Sequence, residues 1–336
     1  MDDDLIKVSI LVPIYKVEKY LEKMLVSIFN QTYTNIDYVF VNDCSPDNSL
    51  QLLKDSIRKH NVSPSKYKII NHLQNEGIAV SRADCISAAT GDYIYFVDGD
   101  DWIEPNTIEQ MVLASKSGTI DIVGCDYYKD FESGIITYHH ENYANSCYEN
   151  MRRCINYEIA TVLWKMLIRR SLFNSFCIGP INIGEDYIIS IKLFYYAQSF
   201  VSINNAYYHY AQYNLDRLSF QSERSILDHV ECVKEVEKFC KVEGISDDDI
   251  CHRLLLRKFI IKSNFVLNKY LLNKESYLMT FPEAQGMWRE MPYSKKEKLK
   301  FWTAEHGLFF VLYLLKKGEK IFFIIWILLF VFYVFV

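Results

Sequence analysis

Residues 93–102 read Tyr-Ile-Tyr-Phe-Val-Asp-Gly-Asp-Asp-Trp, a run of five apolar or aromatic residues passing directly into three carboxylates within four positions. An uninterrupted apolar run bounded by turn residues, here Gly91-Asp92, has the pattern of a buried strand. Three carboxylates at the end of such a strand repel one another unless a cation lies among them. A hard divalent ion suits that place, because Mg²⁺ and Mn²⁺ take carboxylate oxygen and share it with substrate phosphates. The feature points to a metal-bound nucleotide at the carboxyl edge of an α/β sheet, where ligands of such sheets sit.

The flanking chain supplies the rest of that sheet. Residues 8–14, 38–41 and 67–71 are further strand patterns, and 17–30, 50–60 and 78–89 have helical spacing. The polar segment 42–49 reads as a loop feeding a helix N-terminus, with Ser, Asp and Asn as candidate caps. Strands alternating with helices predict a mostly parallel, doubly wound α/β sheet. Beyond it, 107–117 reads as helix, 120–128 as strand, and a short strand follows Leu163. A loop with Gly179-Pro180 and Gly184 then leads into an apolar helix over 186–197. Segment 130–160 has no clear period. Helices over 227–242 and 251–272 lie past the sheet and predict a C-terminal helical extension.

With 336 residues the chain is long enough for two domains, or for one enlarged α/β domain with appendages. A net charge of −5 argues against a general nucleic-acid binder. The acidic N-terminus leads straight into a strand and does not read as a signal or transit peptide. Nine cysteines without a Cys-x-x-Cys pair read as reduced thiols in a cytosolic compartment. The eight histidines form no zinc pattern.

Several segments then match one family in order. Val8-Ser9-Ile10-Leu11-Val12-Pro13-Ile14-Tyr15, Ser27 to Tyr33 and Val41 to Ser49 resemble the opening of glycosyltransferase family 2. Asn75-Glu76-Gly77, Arg82 and Gly91 to Ile94 continue the pattern into Asp98-Gly99-Asp100-Asp101-Trp102. Trp164-Lys165, Gly184-Glu185-Asp186 and Tyr207-Tyr208-His209-Tyr210 resemble the acceptor half. The resemblance covers about residues 6–220 and implies the GT-A fold, a Rossmann-like sheet. It divides the chain into a catalytic domain (1–220), a helical extension (221–300) and an apolar tail (301–336). Within the catalytic domain, 6–105 would form the nucleotide-binding half and 106–220 the acceptor half.

The resemblance also implies roles. Pro13 and Tyr15 would line the base pocket, with the Tyr15 ring against a uracil face. Asp43 would accept the uracil N3 proton, and Arg82 would lie near the nucleotide. Of Asp98 and Asp100, one would meet the ribose and the other Mn²⁺ or Mg²⁺. Asp101 is a further ligand or a partner behind the ligands. Asp186 is the candidate general base, delivered by the turn at Gly184, with Glu185 raising its pKa or binding the acceptor. His209 would approach the diphosphate and Trp164 would stack on a sugar, or both would serve as structural supports. Structural alternatives stand beside each role: a core aromatic for Tyr15, helix capping for Asp43 and for Glu185-Asp186, a surface arginine for Arg82, a solvated turn for the acidic cluster.

The implied activity is a metal-dependent, inverting transfer from a UDP-sugar to a glycan or lipid-linked acceptor in surface polysaccharide assembly. The loop 42–49 departs from the family pattern at Asn42, Cys44 and Pro46, and the helix 78–89 at Ala83 and Cys85. Cys44 replaces a usual glycine and with it the freedom to take positive φ. These departures support a rival, a catalytically silent glycan- or nucleotide-binding protein of the same fold. A nucleotidyltransferase would need a Gly-rich phosphate loop near the first strand, and none is there. Gln285-Gly286-Met287-Trp288-Arg289 superficially resembles a processive-synthase motif with its last two residues reversed, so transfer of single sugars is expected.

Residues 321–336 carry no charge. As a helix they would reach about 24 Å, short of the roughly 20 residues a full span needs. With the apolar run 308–315, the lysines between them and the basic helix 253–274, they predict attachment to the cytoplasmic face of a bacterial membrane. The alternative is a core helix or the interface of a homo-oligomer.

Overall fold

In a computed structural model, which describes residues 6–181, 183–214, 223–268 and 271–316, the alternating pattern becomes one nine-stranded sheet and its helices. The first three β/α pairs are β1 (Val8–Ile14), α1 (Leu21–Phe29), β2 (Ile36–Asn42), α2 (Ser49–Lys59), β3 (Tyr67–Asn71) and α3 (Ile78–Ala88). Then come β4 (Tyr93–Phe96), β5 (Trp102–Ile103), α4 (Thr107–Ala114), β6 (Ile122–Asp130) and β7 (Ile136–His139). The sheet region closes with α5 (Cys147–Ile155), β8 (Met166–Arg169), α6 (Glu185–Tyr196) and β9 (Phe200–Ala211).

The strand order is β3-β2-β1-β4-β8-β6-β9-β5, with β7 beside β6. The block β3-β2-β1-β4 is parallel throughout. Every residue of β1, β2 and β4 is buried, as parallel strands covered on both faces require. Past β4 the sheet becomes mixed: β8 runs antiparallel to both β4 and β6, while β6 and β9 pair in parallel across a bulge. The chain leaves β1 toward β2 and β3, then returns to the other side of β1 as β4. The order therefore reverses between β1 and β4, and a crevice opens at their carboxyl ends.

The chain divides into two compact units, Met1–Arg217 and Leu218–Val336. The second is helical, with α7 (Glu223–Val242), α8 (Asp248–Leu267), α9 (Lys274–Met279), α10 (Lys295–Glu305) and α11 (Phe309–Lys316). The expected helix over 251–272 ends at Leu267, because Asn268 turns extended with ψ 112°.

The basic residues of α8 are not a membrane-facing stripe. Arg257, Lys258 and Lys262 are buried. Lys258 donates to Glu237 and Glu283 at 3.1 and 2.7 Å, and Lys262 donates to the Phe281 carbonyl at 3.2 Å. The apolar run 308–315 is likewise used partly inside its own unit, where Phe309, Val311 and Leu312 are buried while Phe310 and Tyr313 stay exposed. The apolar segment 321–336 lies outside the described residues. No described helix is long and apolar enough to cross a membrane.

This second unit carries a pH liability. His229 on α7 is buried and hydrogen-bonds the Ser225 carbonyl at 2.7 Å. Burial, helped by the nearby Arg257 charge and opposed by the Ser225 carbonyl, pushes its pKa down to about 4 from 6.5. The unfolded chain then binds a proton that the folded one refuses between pH 6.5 and about 4. Stability is full above that window and falls through it, by up to about 3 kcal/mol in all. Thermal melts across the window should show the loss, and His229→Leu should flatten it.

Candidate active site

Loops after β1, β2 and β4 frame the crevice. Pro13 is buried near the end of β1, and Tyr15 just beyond it is 46% exposed, with a face open to a ligand. At the end of β4 the chain turns through Asp98-Gly99-Asp100-Asp101, closed by the Asp101 amide donating to the Asp98 carbonyl at 3.1 Å. Position 99 is tight: a Cβ there would lie 2.9 Å from Val17 Cγ2, so a side chain would have to displace Val17.

The turn is fixed from across the sheet by Tyr208 of β9. Its hydroxyl accepts from the Asp98 amide at 3.1 Å and donates to Asp101 Oδ2 at 2.7 Å. The Ala211 amide donates to Asp101 Oδ1 at 2.8 Å. Both Asp101 oxygens are thus engaged within the protein, and the side chain is buried. Burial, then the charges of Asp100 and Asp98, raise its pKa well above the ordinary carboxylate range. Asp98 and Asp100 are instead only partly buried, and Asp100 Oδ2 accepts from Asn214 at 2.8 Å.

On the opposite wall Gly184 adopts a left-handed φ of 90°, a conformation that costs a side-chain-bearing residue, and starts α6 directly at Glu185 and Asp186. Both carboxylates reach Arg82 of α3. One Arg82 nitrogen, Nη1, donates to Glu185 and to Asp186, and Nη2 donates to Asp98 at 3.2 Å. One buried guanidinium therefore gathers residues from α3, the β4 turn and the α6 N-terminus.

Burial works against the Arg82 charge, but Asp186, Glu185 and Asp98 outweigh it and hold the guanidinium charged beyond its ordinary range. Burial also raises the Asp186 pKa well above its usual value; Arg82 opposes this and Glu185 and Asp98 add to it. Glu185 is raised as well, by burial first, against the pull of Arg82. The Asp186 side chain keeps 20% of its surface exposed, so the crevice reaches it.

Asp43 is buried at the end of β2. It accepts from the Glu76 and Gly77 amides at 2.7 and 2.8 Å, holding the segment that enters α3, and contacts His72 Nδ1 at 2.7 Å. The next residue, Cys44, takes φ 54°. The chain thus keeps the left-handed geometry that the missing glycine would supply, at a cost of about 1 kcal/mol.

Trp164 and His209 are not at the crevice surface. Trp164 is 2% exposed and stacks on Tyr208 at 4.2 Å between centroids. His209 is 3% exposed, stacks on Trp102 at 3.4 Å, and has its two nitrogens 2.9 and 2.8 Å from Asp130 and Glu104. Both support the strands behind the Asp98–Asp101 turn. His72 and Tyr208 were missing from the sequence-derived set. Each acts through partners brought near only by the sheet.

The residues fit a divalent ion that arrives with phosphate. Among the described residues no group of three or more Asp, Glu, His or Cys side chains is placed to hold a metal ion by itself. Mg²⁺-type ions are commonly held by one or two carboxylates completed by substrate phosphates and water. Asp98 and Asp100 at the crevice meet that demand.

Comparison with known proteins agrees with this frame. A family model for glycosyl transferase family 2 matches residues 9–176. The chain is 33% identical over 219 residues to the putative glycosyltransferase EpsH of Bacillus subtilis, covering 60% of each. It is 31% identical over 216 residues to the glycosyltransferase GlyA of Streptococcus pneumoniae, covering 61% of this chain and 30% of that one. It thus spans less than two thirds of these relatives' length. The solved structure of S. aureus TarS 1–349 in complex with UDP-GlcNAc superposes with a TM-score of 0.63 at 18% identity, covering 94% of this chain and 91% of that one. At that identity the likeness is one of fold, and the fold is GT-A, as the resemblance implied. The family match runs from β1 through β8 and takes in Asp43, Arg82 and the Asp98–Asp101 turn, so the chain belongs to glycosyl transferase family 2.

Proposed function

We propose that the protein moves a sugar from a UDP-sugar to a hydroxyl of a glycan or lipid-linked acceptor, with inversion at the anomeric carbon, in surface polysaccharide assembly. The observation that carries this reading is the convergence of Asp98, Glu185 and Asp186 on Arg82. It brings Asp98, from the acidic turn after β4, and Asp186, a carboxylate with a raised pKa, to one guanidinium. The relatives named as glycosyltransferases and the UDP-GlcNAc complex of TarS support the same reading.

In this mechanism Tyr15 stacks on the base and Asp43 accepts its N3–H. Asp98 and Asp100 face the ribose and the diphosphate. Mn²⁺ or Mg²⁺, when bound there, supplies positive charge to offset what grows on the departing UDP. Asp186 takes the proton of the acceptor hydroxyl as that oxygen bonds to the anomeric carbon and the bond to UDP breaks on the opposite face. Its raised pKa suits a general base, which works best tuned toward the operating pH. Glu185 keeps Arg82 engaged beside it. Asp101, Tyr208 and His209 hold the donor turn from behind.

Attachment to the cytoplasmic face of a bacterial membrane belongs to this reading, because a lipid-linked acceptor is presented there. Its support is the uncharged segment 321–336 and the exposed Phe310 and Tyr313 leading toward it.

The test is UDP release from a panel of UDP-sugars with Mn²⁺, Mg²⁺ or EDTA, using detergent-solubilised protein and a lipid extract as acceptor. Release from one sugar, abolished by EDTA, is the expected result. Binding of UDP without release from any donor would instead favour the catalytically silent nucleotide-binding protein.

A further inference from the structure

His72 follows the last residue of β3 and lies between carboxylates from two other elements. Its Nδ1 is 2.7 Å from Asp43 Oδ1 at the end of β2, and its Nε2 is 3.0 Å from Asp84 Oδ2 on α3. The His72 side chain is 8% exposed and that of Asp43 4%, whereas Asp84 is 43% exposed. A neutral imidazole has one donor nitrogen and one acceptor nitrogen. In that state one of the two contacts would set a lone pair against a carboxylate oxygen. Only the doubly protonated ring satisfies both.

The arrangement also determines what Asp43 has left to offer. Its Oδ1 accepts from His72 and from the Glu76 amide, and its Oδ2 accepts from the Gly77 amide. A carboxylate has about four lone-pair sites. Three are filled, and the one remaining is on Oδ2.

We infer that His72, as an imidazolium clamped by Asp84, is a positioning residue of the donor site, turning Asp43 so that a single Oδ2 lone pair remains for an N–H of the nucleotide base. This rests on the reading of Asp43 as the base-binding carboxylate. It adds a residue with its own charge state, and a partner, Asp84, on the outer surface of α3.

Burial alone would lower the His72 pKa, but the hydrogen bonds and charges of Asp43 and Asp84 outweigh it and raise it above 6.5. Asp43 from β2 and Asp84 from α3 are the charged groups facing the ring, and the segment entering α3 presents its Glu76 and Gly77 amides to Asp43. The sign follows directly. The clamp is complete below the raised pKa and is lost as pH rises through it, when the ring gives up a proton and one carboxylate loses its donor. Asp84 tightens the clamp without touching the ligand, so removing it should move the loss to lower pH.

The experiment is calorimetric titration of the full chain with UDP between about pH 6 and about pH 9, on wild type, His72→Asn and Asp84→Asn. Wild type is expected to lose about tenfold in affinity on the alkaline side, the worth of one charge-assisted hydrogen bond. His72→Asn should bind about tenfold more weakly at neutral pH and lack that limb. Uridine's own titration appears in every protein and cancels in the ratio. Asp84→Asn, on an exposed helix face, should fold and shift the limb downward in pH. An identical limb in all three proteins would overturn the inference. If wild type binds no UDP, the donor reading of the crevice fails. The imidazole nitrogen signals of His72, assigned by their absence in His72→Asn, then test the charge state alone, and a singly protonated ring at neutral pH would overturn it.

Discussion

Asp186→Asn should lower sugar transfer by about 10²- to 10⁴-fold, the usual worth of a positioned general base, while UDP binding stays near wild type. Asparagine keeps the shape and an oxygen for Arg82 but cannot take the acceptor proton. Arg82 would still hold Glu185 and Asp98, so the crevice walls remain joined. The neighbouring substitution, Glu185→Gln, removes a charge that raises the Asp186 pKa, so it should move the acid limb of the activity profile toward lower pH. Steady-state transfer rates alongside calorimetric UDP affinity check both expectations. Full transfer by Asp186→Asn would remove Asp186 from the mechanism.

Arg82→Met should have the largest effect on stability. It takes away the guanidinium shared by Asp98, Glu185 and Asp186 and leaves three carboxylates crowded in a poorly solvated place. Removing one partner of a buried ion pair costs about 3–5 kcal/mol. For a unit of this size that corresponds to a drop in Tm of about 10 °C. The deficit should shrink as pH is lowered, because Asp186 and Glu185 already have raised pKa values and take up protons once the opposing charge is gone. Arg82→Lys should fall between the two, since an ammonium supplies charge but not the planar fork that meets Asp98 through one nitrogen and the α6 carboxylates through the other. Differential scanning calorimetry at two pH values separates these cases. An Arg82→Met protein with unchanged Tm would show that the carboxylates are relieved in some other way.

The parts legible in the sequence were those whose chemistry is local. The run 93–97 had to be a buried strand, and the carboxylates following it had to lie at its end. Gly184-Glu185-Asp186 at the head of an apolar run identified both the helix start and its acidic tip. The parts that were not legible depend on partners far along the chain. β5 is two residues held by pairing with β9, and no two-residue strand has a readable period. β9 runs on through Asn204-Asn205, but its register with β6 shifts there. α5 does carry a local signal, Ser146 three residues before Glu149, which caps the helix.

Site residues divide the same way. The carboxylates at 98–101 stood out by following a buried strand, and Asp186 through the family resemblance; the structure brings Asp98 and Asp186 to one guanidinium. The placement of Trp164 and His209 depended on Tyr208, Trp102, Asp130 and Glu104, and was decided by tertiary packing. His72 gave no local sign, because its two carboxylates come from other elements and meet it only when β2, β3 and α3 assemble. The basic helix α8 misled for a related reason. A lysine's hydrophobic stem lets it enter a core when carboxylates and carbonyls wait there, as Glu237, Glu283 and the Phe281 carbonyl do for Lys258 and Lys262.

The bridge from Tyr208 to the Asp98–Asp101 turn constrains how the protein could be re-engineered. Grafting the second half of one such domain onto the first half of another is an obvious engineering route. Here the turn that carries Asp98, Asp100 and Asp101 takes its shape from a hydroxyl and an amide contributed by β9, more than a hundred residues downstream. A graft that exchanges β9 without a tyrosine in register would alter donor handling along with acceptor choice. Useful chimaeras would therefore keep β9 with the donor half and exchange only the loops around it.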